Sequence, residues 1–349
     1  MSKIYANPFF WGEPSKGSHY IQRPEEQEHI NVAIEKQLNM IITGYRGTGK
    51  TSLLKHVLGK SQIPSIYLDL NFVVSKDGLA DLLLDALEKC FPELKSSEQV
   101  LALRKSDHGA SLTPIFDQWY SAVKQSSQKF TIVWDEFQHL IKFKDNIIED
   151  LRENLRDRRG ITHIFVSHRE DIMREIFDDH SNPFFYHREH LFISNLDLDA
   201  FNRFLTQRFR RMGLSDYDLA DSILKFTKGQ AQLTQKVAHS LAQIWLEGTT
   251  TRLLDRTINK MLTKHNIIFA SDWDNFGLNE KRLFLGLSKG NAHPTELSFI
   301  KEFGLSATST AHNTVLKLLR EGWLLAHDEG YYIYDPLFLK WLQNGKSLS

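Results

Sequence analysis

Gly44-Tyr45-Arg46-Gly47-Thr48-Gly49-Lys50-Thr51 is the stretch that decides the fold. It fits G-x-x-x-x-G-K-[ST], and its surroundings are those the motif requires, an apolar strand-like run at 38–43 before it and a helical pattern at 51–58 after it. Glycines let the backbone curl so that successive N–H groups point inward, and the following helix adds the positive end of its dipole. Such a concavity holds phosphates. Lys50 is expected to reach the β- and γ-phosphates of ATP and the Thr51 hydroxyl to ligate Mg²⁺, so residues Gly44, Tyr45, Arg46, Gly47, Thr48, Gly49, Lys50 and Thr51 form the candidate nucleotide site.

Working outward, the second half of such a site is a buried strand ending in carboxylates. Phe130-Thr131-Ile132-Val133-Trp134 runs into Asp135-Glu136. Asp135 is placed to hold Mg²⁺ and Glu136 to polarise an attacking water as general base, which points to hydrolysis rather than binding alone. A third apolar run, 161–166, ends in Ser167-His168. A polar side chain here would sit between the two motifs and meet the γ-phosphate or the water. Ser167 is the first choice and His168 the alternative, although Ser167 also suits the N-cap of a helix near Asp171.

Strand-like runs at 38–43, 65–70, 130–134, 161–166 and 191–193 alternate with helical patterns at 51–58, 79–91, 112–124, 147–156 and 171–177. A helical pattern at 24–37 precedes them. This alternation predicts an α/β core, a parallel sheet with helices on both faces. Past 196 the strands stop and four helical patterns follow, at 199–211, 216–226, 231–245 and 250–266. From 278 three short helices lead to two apolar-aromatic runs, Trp323-Leu324-Leu325 and Tyr331-Tyr332-Ile333-Tyr334, around Asp328-Glu329-Gly330. That is the layout of a winged helix-turn-helix. The expected domains are a nucleotide-binding core at 1–195, a helical lid at 196–275 and a winged helix at 276–349.

Composition narrows the function classes. The 349 residues carry 43 Lys plus Arg and 43 Asp plus Glu, so any nucleic-acid surface must be a local patch. The single cysteine, Cys90, excludes an intramolecular disulfide and a Cys-rich metal site. The start of the chain lacks a signal-peptide core and no long apolar run follows, so the expected location is the cytoplasm, with no membrane partner. Asn-Lys-x-Asp, which reads guanine, is missing: Asn259-Lys260 is followed by Met261-Leu262.

In this order, these residues resemble the AAA+ ATPases of the archaeal-type and STAND branch, related to the origin-recognition ATPases. Tyr20-Ile21-Gln22-Arg23-Pro24-Glu25-Glu26 is similar to the aromatic-x-x-Arg-x-x-Glu box that opens the domain beside the adenine, which makes Arg23 a candidate nucleotide-site residue. Pro183-Phe184-Phe185-Tyr186-His187-Arg188 resembles the segment before the last strand, and the resemblance makes Arg188 the leading arginine finger toward a neighbouring subunit of a nucleotide-dependent homo-oligomer. Arg152, Arg156, Arg158 and Arg159 compete for that role. The lid motif appears as Gly229-Gln230-Ala231-Gln232. Gln232 stands where many relatives carry arginine, so Lys236, one turn on, is the substitute candidate. Tyr334-Asp335-Pro336-Leu337-Phe338 is similar to the family's winged-helix tail.

Two functions are consistent with this. In one, an ATP-hydrolysing protein acts as a nucleotide-dependent switch or remodeller on double-stranded DNA, touched by Thr308, Ser309, Thr310, Asn313 and Lys317 of the second winged-helix helix. In the other, a STAND-type signalling or defence switch uses the winged helix to dock protein. Glu321, Asp328 and Glu329 crowd the wing and weigh against DNA.

Overall fold

The computed structural model describes residues 6–106, 111–143, 146–155, 160–178, 188–214 and 218–345. Two compact units result, one spanning Lys16–Ser194 and the other formed by Asn195–Ser349 with the segment preceding Lys16.

The Lys16–Ser194 unit holds five strands: β1 (Asn39–Thr43), β2 (Ser65–Asp69), β3 (Phe130–Asp135), β4 (Ile161–Val166) and β5 (Arg188–Phe192). Their order in the sheet is β2-β3-β4-β1-β5, all neighbours parallel. Helices α1 (Pro24–Lys36), α2 (Lys50–Leu58), α3 (Lys76–Cys90), α4 (Glu98–Leu103), α5 (Thr113–Ser126), α6 (Ile147–Leu155) and α7 (Glu170–Phe177) cover it. Every residue of β3 and β4 is buried, as a strand covered on both faces must be. Side chains alternate between two cores because successive Cβ atoms point to opposite faces. Ile132, Trp134, Phe165 and Ile41 join Trp119, Phe116, Phe137 and Phe177 on the α3–α5 side. Val133, Ile164, Met40 and Ile42 meet Ile30, Leu53 and Val57 of α1 and α2 on the other.

Local chemistry sets the helix ends. Pro24 opens α1, where its missing N–H is not needed. Ser75 caps α3 by accepting from Gly78 N, and Ser97 caps α4 by accepting from Val100 N. The short helix α4 has no counterpart in the helical patterns read from the sequence, and β5 begins at Arg188, three residues before the apolar run at 191. On an edge strand the ladder to β1 can hold polar residues, so Arg188 pairs with Asn39 and His190 with Ile41.

The second unit contains α8 (Leu198–Arg211), α9 (Leu219–Thr227), α10 (Ala231–Leu246), α11 (Leu253–Asn275), α12 (Leu278–Ser288), α13 (Leu297–Phe303), α14 (Thr308–Arg320), the hairpin β6 (Leu324–His327) and β7 (Gly330–Ile333), and α15 (Pro336–Gly345). Phe9 is buried against Phe209 of α8, with ring centroids 4.7 Å apart. Helix α11 runs nine residues beyond the pattern ending at 266, because Phe269 and Trp273 pack on Phe338, Trp341 and Phe284 of the winged helix. Asp335 and Pro336 start α15, the Asp335 carboxylate accepting from Leu337 N at 2.7 Å. Among the described residues no helix is long and apolar enough to cross a membrane.

Candidate nucleotide site at the carboxyl edge of the sheet

In a parallel sheet the strand carboxyl ends meet where the chain turns into helices, and ligand chemistry gathers there. β1 ends at Thr43 and enters the loop Gly44–Thr51. Gly44 adopts φ +147°, and any Cβ at this position would fall inside the Ile193 carbonyl oxygen, so only glycine lets the loop start so close to the end of β5. Gly49 adopts φ +97° as the N-cap of α2, turning the backbone into the helix.

The Lys50 ammonium folds back across this loop, donating to Gly44 O at 2.7 Å and Tyr45 O at 2.9 Å. Burial lowers its pKa to about 8, against the pull of Glu136 and Asp135. A phosphate group would supply the negative charge that this buried cation otherwise draws from carbonyl dipoles. Arg23, 5% exposed, does not present its charge outward. It donates to Thr48 O and Ser194 O, each at 2.9 Å, and to Glu26 at 2.8 Å, tying the end of the loop to the end of β5 and the first turn of α1. Tyr20 of the same box stacks on His56 of α2 with ring centroids 4.0 Å apart. Tyr45 lies edge-on to the exposed Phe192 at 5.5 Å, and Thr48 donates its hydroxyl to Tyr45 O.

Sheet order puts β4 between β1 and β3, so Ser167 lies between the two motifs. Asp135 Oδ2 accepts from Thr51 Oγ1 at 3.1 Å and from the Tyr67 hydroxyl, and its Oδ1 caps Glu136 N at 3.0 Å. Burial raises the Asp135 pKa over the lowering effect of these donors. A carboxylate and a hydroxyl held together beside the loop form the hard-oxygen donor set that Mg²⁺ takes, together with substrate phosphates. The loop glycines, Lys50 and this pair fit a nucleotide and its metal.

Glu136 takes a left-handed backbone, φ +58°. Burial pushes its pKa up, but hydrogen bonds from His168 and Gln138 and the charges of His168 and Lys50 outweigh burial and bring it to about 2. His168 Nδ1 is 2.8 Å from Glu136 Oε2. An ionised carboxylate has no proton to give, so Nδ1 carries the hydrogen. By the same reasoning Gln138 turns its amide nitrogen to Glu136, and its Oε1 accepts from Ser167 Oγ at 2.5 Å. Ser167 is fully buried and also caps Arg169 N at 2.9 Å.

The structure therefore brings together Gly44–Thr51, Arg23, Asp135, Glu136, Ser167 and His168, and adds Tyr67 and Gln138. Those two escape a reading by motif. Tyr67 is one of several aromatics on an apolar strand, and Gln138 follows Glu136 in a 3₁₀ turn, Phe137–Lys142, that no periodicity announces. Ser167 meets the site through Gln138 rather than facing it.

The remaining expected residues lie elsewhere. Arg188 opens β5 at the opposite, amino edge of the sheet, where it pairs with Asp178. Arg152 is buried against Glu149 at 2.6 Å and Ile176 O at 3.4 Å, which removes it from the exposed helix face. Arg156, Arg158, Arg159 and the stretch 183–187 fall outside the described residues. In the second unit Gln232 is exposed on the first turn of α10, while Lys236 contacts His265 Nε2 at 2.7 Å and lies 5.1 Å from the Trp11 ring. On α14, Thr308, Ser309 and Asn313 are exposed, Thr310 bonds Ser306 at 2.9 Å, and Lys317 pairs with Glu280, with Glu321 at 3.8 Å.

Residues 33–174 match the family described as AAA domain, and residues 267–344 match the probable winged helix domain. No curated protein matches the sequence. Among solved structures, the fold is similar to a Walker-type ATPase of Pyrococcus abyssi at 17% identity, covering 93% of this chain and 96% of that one with a TM-score of 0.72. It is also similar to the ORC2 protein of Aeropyrum pernix, solved as ADPNP-ADP complexes, at 13% identity, covering 100% and 98% with a TM-score of 0.60. The ORC1 protein of Aeropyrum pernix, solved in complex with DNA, is similar at 11% identity, covering 94% of each chain with a TM-score of 0.53.

Proposed function

We propose that this chain, matched by the AAA domain over residues 33–174 and by the probable winged helix domain over residues 267–344, binds ATP with Mg²⁺ and hydrolyses it, acting as a nucleotide-dependent switch. The observation that carries this reading is the 3.1 Å bond from Thr51 to Asp135, which joins the loop hydroxyl to the strand-end carboxylate with Glu136 next in the chain. The loop N–H groups and Lys50 orient the phosphates, Thr51 and Asp135 hold the metal, and Glu136 orients and deprotonates the attacking water. Mg²⁺, when bound, neutralises charge that develops on the phosphate oxygens. Purified protein should hydrolyse ATP. Glu136→Gln should keep ATP binding and lose turnover, and Lys50→Ala should lose binding. Normal hydrolysis by Glu136→Gln would remove Glu136 as the base.

The switch acts on double-stranded DNA, in this reading, through α14, and assembles through Arg188. Arg188 stands one strand away from its own loop, about 3.3 Å for each of the five residues of β1. It can therefore act only on a nucleotide of a neighbouring copy. The resemblance to DNA-associated ATPases supports this, as does the exposed face of Thr308, Ser309 and Asn313. A second reading, in which the winged helix docks protein, is favoured by two observations: Glu280 and Glu321 neutralise Lys317, and the wing carries Asp328 and Glu329 at its turn. DNA stimulation of a Glu136-dependent ATPase rate supports the first. Turnover indifferent to DNA supports the second.

A further inference from the structure

A second basic surface of the C-terminal unit lies apart from α14. A cleft of about 520 Å³ is lined by residues of α9, α11 and α15 and their caps. Lys225 and Lys228 reach it from the end of α9, Arg252 and Asp255 from the start of α11, and Lys340 from α15. Arg252 spends its charge on Asp255, with both contacts at 3.2 Å. Among the described residues, none of the three lysines has a carboxylate within ion-pair distance. Lys228 instead lies 5.4 Å from the Tyr332 ring, and burial lowers its pKa. Three like charges around one concavity repel one another and focus a positive potential into it.

Helix ends shape the same wall. Lys228 and Arg252 adopt φ +51° and +49°, a left-handed conformation that residues with side chains seldom take. Lys228 does so as the C-cap of α9 and Arg252 as the N-cap of α11, so the helix ends themselves set these turns. Asn259 adds an exposed amide to the same wall. The volume lies within the roughly 300–1,000 Å³ range of ligand sites.

We propose that this cleft binds a ligand carrying two or more phosphate groups, held by Lys225, Lys228 and Lys340. Each ammonium is a compact point charge with three donors, suited to separate phosphate oxygens rather than to one planar carboxylate. Two sources present such groups, the backbone of DNA and a free polyphosphate compound. The nucleotide loop lies in the other unit of the chain.

The test uses the full chain and the triple variant K225A/K228A/K340A, with circular dichroism melting as a fold control. In the first arm, a fluorescein-labelled duplex is titrated at several salt concentrations. Each lost phosphate contact should reduce the slope of log affinity against log salt by about 0.9, hence by about 2.7 for three. In the second arm, sodium pyrophosphate is titrated calorimetrically into Lys50→Ala protein with and without the triple change, so that the nucleotide loop does not contribute. Loss in the first arm assigns the cleft to DNA backbone, and loss in the second alone assigns it to a free polyphosphate. Asp255→Asn, which releases Arg252, should tighten whichever binding is found. If the triple variant changes neither titration, or if neither probe binds the parent protein, the cleft is not a phosphate site.

Discussion

Removing the Ser167 hydroxyl tests how the polar residue between the two motifs does its work. Ser167 is fully buried, and its hydroxyl donates to Gln138 Oε1 at 2.5 Å, while the Gln138 amide N–H donates a hydrogen bond to Glu136. If Ser167 acts on the reaction only through Gln138, Ser167→Ala removes that neutral hydrogen bond, a net of about 1–1.5 kcal/mol, and the lost cap on Arg169 N falls on folding stability rather than on kcat. Expressed in the transition state, that is roughly a 5- to 12-fold fall in kcat, since 1.36 kcal/mol is a factor of ten. Gln138→Ala loses the charge-assisted bond to Glu136 as well, about 1.5–3 kcal/mol, for a fall of about 10- to 150-fold. The double variant should then match Gln138→Ala within a factor of about two, because the serine has nothing left to act on. The assay is single-turnover ATP hydrolysis with ATP affinity measured separately, and affinity should stay within about twofold. Multiplying effects in the double variant would refute the relay and return Ser167 to direct contact with the reaction.

Other expectations follow from the same geometry. Asp135→Asn should raise the melting temperature of nucleotide-free protein at pH 7.5: burial raises the folded pKa of Asp135, so its carboxylate favours the fold only while protonated and opposes it as pH rises through that value. An unchanged or lower melting point would contradict the burial argument. His163, wholly buried between the Trp134 indole N–H at 3.1 Å and the Tyr120 hydroxyl at 3.2 Å, has its pKa pushed down by burial to about 3. A depressed pKa gives stability that is complete above 6.5 and drains away as pH falls toward 3, by up to about 1.4 kcal/mol per pH unit. His163→Gln should flatten that slope in urea melts between pH 6.5 and 4. Gly44→Ala should cost several-fold in ATP affinity and lower the melting point, since its Cβ collides with the Ile193 carbonyl, and a neutral result would show that β5 can move aside.

The loop Gly44–Thr51, the strand ending in Asp135-Glu136 and the alternation of strands and helices were legible because each rests on short-range chemistry. Glycine spacing fixes a local curl, a run of buried β-branched and aromatic residues fixes a covered strand, and the periods of 2 and 3.6 separate the two element types. The hairpin around Asp328–Gly330 and the Pro336 helix start depend on equally local turn and cap preferences, though the sequence reading marked only the first.

What the tertiary structure alone decided is which side chains meet. The sequence reading put a polar residue after the 161–166 run between the two motifs, but only the sheet order and packing put Ser167 within reach of Gln138, and Gln138 and His168 around Glu136. The same holds for Arg23, whose motif suggested the nucleotide but whose guanidinium is spent on carbonyls 25 and 171 residues away. It also holds for Lys317, a DNA candidate by type that Glu280 neutralises from another helix. A residue's chemistry is written in its type. Its availability depends on contacts between distant segments, and those are set by how strands are ordered and how helices pack.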